Sequence, residues 1–151
     1  MENNTTGNPQ VDAQTGKVIY IAKAHTVGGR DGGSSRTSDG RLDVKLSLPD
    51  GPGNGTNPEQ LFAVGWSSCY FSALKLEAAK RKVRFPADAY VDAEVDLHLS
   101  DENGYSLSAR LNVSLPGVDR EIAQEITDAG HQICPYSKAT HGNVKVETNL
   151  I

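Results

Sequence analysis

The stretch NPEQLFAVGWSSCYFSALKLEAAKRK, residues 57–82, decides the fold because it predicts one long helix with a cysteine near its middle. Asn57 is a good N-cap, Pro58 suits the first helical position, and the basic residues at the end suit the negative pole of a helix. Small and apolar residues recur at helical spacing and define the expected inward stripe. They are Leu61, Gly65, Cys69, Ala73 and Leu76. Cys69 is therefore expected to face the interior.

The segments before this helix predict two strands and two loops. The alternating, β-branched run at residues 17–26 and the alternating run at residues 41–48 are typical of strands. Residues 27–40 and 49–56 are rich in glycine and other turn formers, which predicts loops. In the second strand the inward face is expected to carry four apolar side chains, those of Leu42, Val44, Leu46 and Leu48.

The segments after the helix predict a hairpin, a second helix and a last strand. Residues 89–100 and 105–115 alternate and are joined by DENG, which indicates a hairpin. Within residues 116–134 an apolar face predicts a helix that Pro135 would terminate. That face consists of Ile122, Ile126, Ala129 and Ile133. With a final strand at residues 143–151, the order β-β-α-β-β-α-β predicts an α+β fold with largely antiparallel strands around two helices.

Length and composition favour a single globular domain. The chain has 151 residues, 37% hydrophobic and 23% charged, so we expect one domain, at residues 17–151. Residues 1–16 are polar, so we expect them to form a flexible tail. The net charge of −4 argues against a nucleic-acid partner, and no apolar run approaches the length of a membrane span. The N-terminus lacks the pattern of a signal peptide, so we expect a cytoplasmic protein.

The two cysteines, Cys69 and Cys134, leave several explanations open: inert core residues, a structural disulfide, metal ligands or a working redox pair. A permanent disulfide is unusual in a reducing compartment. The aromatic neighbours of Cys69 would raise its pKa, so a reactive thiol there requires a nearby positive charge. The glycine-rich loop carrying Arg30 and Arg36 could supply it. Cysteines on facing helices could also form a reversible disulfide if their Cα atoms lie within about 7 Å.

A metal site is the weaker hypothesis. It would combine Cys69 and Cys134 with His131 and His141, but the sequence has no C-x-x-C or second close ligand pair. We therefore predict no metal.

The position of Glu59 leads to a geometric prediction. Glu59 precedes Cys69 by ten residues, which is about 15 Å along a continuous helix. If Glu59 acts at a thiol site, that site belongs to the cysteine of a partner subunit. The spacing thus predicts a dimer with shared sites.

Four motifs in this order carry a resemblance to a known family. GGRDG (28–32), DGRLDVKLSLP (39–49), TNPEQLFAVGWSSCYFSALK (56–75) and HQICPYSKATHGN (131–143) together resemble the organic hydroperoxide resistance proteins, the Ohr branch of the Ohr/OsmC superfamily. The resemblance covers residues 17–151. It implies the Ohr/OsmC-like fold, with antiparallel sheets around two central helices in an intertwined homodimer.

The resemblance also implies a chemistry and a set of site residues. Cys69 would be the peroxidatic cysteine that attacks an organic hydroperoxide, including fatty-acid hydroperoxides, and becomes a sulfenic acid. Cys134 would condense with it to a disulfide. Arg30 would stabilise the thiolate, and Glu59 would orient Arg30. The implied reductant is dihydrolipoamide or a lipoylated protein, with no bound cofactor.

An apolar collar would favour alkyl hydroperoxides over hydrogen peroxide, and its candidates are Phe62, Trp66, Phe71 and Tyr136. Trp66 stands where the family pattern leads us to expect tyrosine, and His141 where it has arginine. Three alternatives remain: an OsmC-type peroxidase of broader substrate range, a non-catalytic binder of lipid-like ligands with buried cysteines, and a redox sensor. The acidic charge and the absence of a helix-turn-helix pattern argue against the sensor.

Overall fold

A computed structural model describes residues 16–151, so the predicted tail lies outside the described residues except for Gly16. Within the described residues, six strands form two three-stranded sheets. The strands are β1 (Ala24–Val27), β2 (Ser34–Thr37), β3 (Asp43–Lys45), β4 (Tyr90–Ser100), β5 (Gly104–Ser114) and β6 (Lys145–Leu150). The helices are α1 (Pro58–Lys80), α2 (Arg120–Ile133) and α3 (Pro135–Thr140). The predicted α+β class is confirmed.

The two sheets differ in their strand directions. In the first sheet, β1, β2 and β3 pair in sequence order and are antiparallel throughout. In the second sheet β5 is central, antiparallel to β4 and parallel to β6. The expectation of antiparallel sheets was therefore wrong for β6, because the chain crosses over through α2 and α3 before it returns to β5.

Helix α1 begins as predicted, but its buried face differs from the predicted stripe. The Asn57 side chain accepts a 2.9 Å hydrogen bond from the backbone N–H of Gln60. The most buried face is centred near Tyr70, one residue beyond Cys69, and Leu76 is 59% exposed. One residue turns a helix by about 100°, so this shift carries Leu76 out of the core. The face is set by α2 and β4, which both pack on α1.

The N-terminal sheet is the part that the sequence predicted least well. The strand predicted at residues 17–26 begins only at Ala24, as β1, and extends one residue further to Val27, since residues 17–23 have no paired strand within residues 16–151. The loop predicted at residues 27–40 contains β2, a polar strand between β1 and β3. The strand predicted at residues 41–48 is reduced to β3 and a bridge at Leu46. Of its four apolar residues, Leu46 is buried, whereas Leu42 and Leu48 are exposed.

The C-terminal half follows the prediction more closely. The hairpin of β4 and β5 closes at Ser100 and Gly104, and α2 ends before Pro135. Ile122 is exposed, contrary to expectation, because the face that packs on α1 is centred on Ile126 and Gly130. The short α3 was not predicted. Proline is tolerated at a first helical position, so Pro135 ends one helix and begins the next.

The core lies between α1, α2 and the second sheet. Its largest fully buried side chains are Trp66, Tyr70, Leu74, Leu111, Ile126, Val113, Thr127 and Cys134. Gly130 allows α2 to approach α1 closely, since a Cβ there would lie 2.8 Å from a Leu74 methyl carbon. Among the described residues, none of the helices is both long and apolar enough to cross a membrane.

Candidate active site

Two free cysteines lie where α1 passes the junction of α2 and α3. Cys69 lies in the middle of α1, and Cys134 is the single extended residue between the other two helices. Cys69 packs against the core cluster that contains Cys134, and Cys134 is one of the groups that raise the pKa of the Cys69 thiol, so the two side chains are neighbours. Both cysteines are free. Cys69 is partly exposed, whereas Cys134 is fully buried. The two cysteines, 65 residues apart in sequence, therefore form one pair in the fold.

The surroundings of Cys69 disfavour the thiolate. Burial raises the pKa of the Cys69 thiol above its ordinary value, the backbone N–H of Tyr136 opposes that rise, and the neighbouring Cys134 adds to it. A thiol with a raised pKa is a poor nucleophile near neutral pH, because the thiolate is the reacting form. Within one chain, Cys69 is thus not yet activated.

Arg30 and Glu59 form a second polar pair. Nη1 and Nη2 of Arg30 donate to the two carboxylate oxygens of Glu59, at 3.2 and 2.9 Å. This forked geometry is the strong form of an arginine–carboxylate interaction, and it lowers the pKa of Glu59. Gly28, Gly29 and Gly32 have φ of 73°, 64° and 76°, which folds the loop back on itself around Arg30.

This pair is remote from the cysteines of its own chain. Helix α1 is continuous from Pro58 to Lys80, so Glu59 and Cys69 are separated by about 15 Å of helix. The other candidate cation, Arg36, lies on β2 opposite Asp43 of β3. Within the described chain, neither predicted arginine is brought to Cys69.

The aromatic candidates divide into two groups. Phe62 contacts Trp66 edge-on with ring centroids 5.5 Å apart, and its ring lies 6.2 Å from that of Tyr136. Trp66 is fully buried, while Tyr136 is 40% exposed and rests over Gly65. Phe71 belongs elsewhere, since its ring packs on Phe85 at 5.3 Å. The structure therefore gathers three of the four predicted collar residues on one side of α1.

A cavity of about 760 Å³ opens beside the Arg30–Glu59 pair. Apolar side chains of β4 form one wall, and Tyr105 of the hairpin also borders it. The β4 residues are Ala93, Val95 and Leu97. Sequence reasoning did not assign these residues to a site, although their strict alternation on one face of β4 was visible. The cavity places a charged, forked pair beside an apolar surface.

His131 takes part in a buried polar network that the sequence did not reveal. Its Nδ1 lies 2.9 Å from the Ser137 hydroxyl, its Nε2 contacts the Thr148 hydroxyl, and its ring stacks on Tyr70. The indole N–H of Trp66 donates to the same Ser137 hydroxyl at 3.0 Å. Burial lowers the pKa of His131, which favours the neutral ring. Residues 16–151 contain no group of three or more His, Cys, Asp or Glu side chains placed to hold a metal ion.

Comparisons with known proteins agree with this architecture. The family model of OsmC-like proteins matches residues 51–149. An uncharacterized protein of Acinetobacter baylyi is 44% identical over 89% of this chain and 95% of its own length. The organic hydroperoxide resistance protein of Xanthomonas axonopodis pv. citri is 41% identical over 89% of this chain and 96% of its own.

A solved structure gives the same result at the level of the fold. The crystal structure of the organic hydroperoxide resistance protein OhrB of Bacillus subtilis superposes with a TM-score of 0.83 at 37% identity, covering 89% of this chain and 100% of that one. Sequence and fold therefore agree over most of the chain, and the chain belongs to the OsmC-like family and, within it, to the organic hydroperoxide resistance proteins.

Proposed function

We propose that this protein is a thiol peroxidase that reduces organic hydroperoxides, including fatty-acid hydroperoxides, to alcohols. The observation that carries the proposal is that Cys69 and Cys134 are neighbours in the fold, one partly exposed and one buried. An exposed thiol next to a second, protected thiol is the arrangement required for oxidation followed by disulfide formation. The names of the relatives in Xanthomonas and Bacillus support the same substrate class.

The proposed chemistry has two oxidative steps. The Cys69 thiolate attacks the distal oxygen of the hydroperoxide, the O–O bond breaks, and the alkoxide takes a proton and leaves as the alcohol. Cys69 is then a sulfenic acid. Cys134 attacks its sulfur, a disulfide forms, and the sulfenic oxygen leaves as water. In sum, the two thiols supply two electrons, and the peroxide becomes one alcohol and one water.

The reductive step requires an external dithiol. We propose dihydrolipoamide or a lipoylated protein as the reductant. One of its thiolates attacks the Cys69–Cys134 disulfide, which forms a mixed disulfide and releases one protein thiol. The second thiol of the reductant then attacks the mixed disulfide. Both protein thiols are restored, and the lipoyl group becomes a cyclic disulfide. The proposed cycle needs no bound cofactor and suits the reducing conditions of the cytoplasm.

In this proposal a homodimer supplies the positive charge that Cys69 lacks within its own chain. Because Glu59 holds Arg30 about 15 Å along α1 from Cys69 of the same chain, the pair is proposed to act on Cys69 of a partner subunit. There it would lower the pKa of the thiol and receive the charge of the departing alkoxide. Four consecutive apolar residues support an interface between subunits, since Val18, Ile19, Tyr20 and Ile21 are 65–92% exposed in the single chain.

The apolar groups near both pairs support a preference for alkyl peroxides. Phe62 and Tyr136 lie on the Cys69 side of α1, and Val95 and Leu97 line the cavity beside Arg30. An alkyl chain buried against such groups gains binding energy that hydrogen peroxide lacks.

The test is peroxide consumption by purified protein with dihydrolipoamide. We expect rapid turnover of cumene and linoleic acid hydroperoxides and turnover of hydrogen peroxide at least about tenfold slower, which corresponds to 1.4 kcal/mol in barrier. Equal rates with hydrogen peroxide would favour an OsmC-type peroxidase of broader range. Absence of consumption with both thiols intact would contradict the proposal and favour the non-catalytic ligand binder.

A further inference from the structure

The hydrogen bond between His131 and Ser137 spans the kink that carries Cys134. His131 precedes Cys134 by three residues and Ser137 follows it by three, so the bond joins the last turn of α2 to α3. Backbone bonds support each helix separately: the Cys134 N–H donates to Gly130 and the Cys134 carbonyl accepts from Lys138. The side-chain bond between His131 and Ser137 connects the two helices directly across the extended residue Cys134.

The same hydroxyl is tied to the helix that carries Cys69. Trp66 precedes Cys69 by three residues on α1, and its indole N–H donates to Ser137 at 3.0 Å. The bond from Trp66 to Ser137 and the neighbouring thiols of Cys69 and Cys134 therefore join the same two segments, about one helical turn apart. All three side chains of this link are at most partly exposed, and Trp66 is fully buried.

The donors and acceptors of the network fit one protonation pattern. The indole can only donate, so Ser137 accepts from Trp66 and directs its own O–H to Nδ1 of His131. The Nε2–H of the neutral ring then donates to Thr148 on β6. Burial favours that neutral ring. In this pattern every group is paired, which gives the network a defined geometry.

We infer that the chain Trp66–Ser137–His131, which we call the clasp, positions Cys134 for disulfide formation with Cys69. The inference rests on the proposed function for its role in turnover, and the clasp residues are positioning residues that act through the placement of Cys134. Disulfide formation tolerates only a narrow range of sulfur positions. The Ser137 hydroxyl fixes the angle of the kink, and the angle of the kink sets the position of the Cys134 sulfur relative to Cys69.

The test follows disulfide closure with diamide, so that it does not depend on peroxidase activity. One thiolate adds to the azo bond of diamide, and the other thiol displaces the reduced hydrazine to give the disulfide. Rapid quenching and intact mass then separate the Cys69 adduct from the closed disulfide. In Ser137→Ala we expect closure to slow by about tenfold to a hundredfold while the adduct forms at nearly the normal rate.

Thr140→Val is the matched control, because Thr140 is a buried residue of the same helix whose hydroxyl, among the described residues, donates only to α3 carbonyls. The Thr140→Val variant should form the disulfide at the same rate as the unchanged protein. His131→Asn, whose amide can occupy the Nδ1 position, should retain most of the rate, and His131→Phe should behave like Ser137→Ala. Thermal unfolding identifies which variants remain folded at the assay temperature.

The outcomes are distinct. Equal rates of disulfide closure in Ser137→Ala and the unchanged protein would contradict the proposed role of the clasp. Equal slowing of closure in Ser137→Ala and Thr140→Val would contradict it as well. Failure of the unchanged protein to close would overturn both the clasp and the cysteine pairing. Normal closure with diamide but no reaction with hydroperoxides would remove the proposed function and leave the clasp standing.

Discussion

Arg30 donates two hydrogen bonds to Glu59, and Glu59 is fixed in the first turn of the helix that carries Cys69 ten residues later. The pairing holds the guanidinium at a defined distance from the thiol of its own chain. Because burial raises the pKa of Cys69 and no arginine reaches it within the described residues, the nucleophile and its proposed activating charge are separated. In the proposed dimer, a second copy of the chain would bring the charge of Arg30 to this thiol.

Shared sites predict complementation between two inactive variants. Arg30→Ala and Cys69→Ser should each lose most peroxidase activity when purified alone. Mixed after unfolding and refolding together in equal amounts, half of the dimers contain one of each chain, and each mixed dimer has one intact site. The activity should therefore recover to about a quarter of the normal value. Recovery to no more than the sum of the separate variants would show that Arg30 serves its own chain.

The charge of Arg30 predicts a change in the pH dependence of Cys69. In a Cys134→Ser background, the rate of Cys69 alkylation by iodoacetamide reports the thiolate. Removal of a nearby cation raises a thiol pKa, so Arg30→Ala should shift the midpoint upward by about one to three pH units. The rate of Cys69 alkylation below the new midpoint then falls, while the rate of alkylation at high pH stays the same.

Arg36→Ala is the control for this measurement, since Arg36 lies on β2, the strand that follows the Arg30 loop, and among the described residues forms no ion pair with Glu59. It should leave the midpoint unchanged. Identical midpoints for Arg30→Ala and Arg36→Ala would exclude Arg30 as the activating charge.

The two cysteines should fail in different ways. Cys69→Ser should abolish turnover, because it removes the nucleophile. Cys134→Ser should still reduce one equivalent of cumene hydroperoxide and then retain one or more oxygen atoms on Cys69, because the resolving thiol is missing. Intact mass and dimedone labelling distinguish these products. Turnover by Cys69→Ser would assign the chemistry to another residue.

The packing of α1 on α2 makes a prediction about stability. A Cβ at Gly130 would lie 2.8 Å from a Leu74 methyl carbon and 3.1 Å from the Tyr70 ring. Overpacking costs about 1–3 kcal/mol, and the better helix propensity of alanine offsets about 1 kcal/mol of this. Gly130→Ala should therefore lower the free energy of unfolding by about 1 kcal/mol in urea.

Leu74→Val in the Gly130→Ala background is the control, since it removes the methyl group's reach toward the new Cβ. The free energies of the two changes should then be less than additive. A Gly130→Ala protein more stable than the unchanged one would mean that α2 is free to move away from α1.

The parts of the fold that the sequence predicted are those with local signals. Asn57 and Pro58 mark the start of α1, DENG marks the hairpin, and Pro135 ends α2 at the expected place. These signals act through hydrogen bonds or ring geometry within a few residues, so they do not depend on the rest of the chain. The family resemblance likewise rested on short motifs, and the comparisons confirmed it.

The remaining features depend on contacts that sequence patterns do not contain. The buried face of α1 is fixed by α2 and β4, which explains why Leu76 was misplaced. Strand β2 is polar and held by backbone pairing, so it lacks the alternation that predicts strands. The bond between Trp66 and Ser137 joins residues 71 positions apart, and only the fold brings them together.

The central claim is that Cys69 and Cys134 form a redox pair driven by organic hydroperoxides. The most direct measurement is titration of free thiols, with intact mass, after addition of one equivalent of cumene hydroperoxide to the reduced protein. We predict loss of both thiols, a mass decrease of about two hydrogen atoms, and full restoration by dihydrolipoamide. Survival of both thiols after a stoichiometric dose would contradict the account.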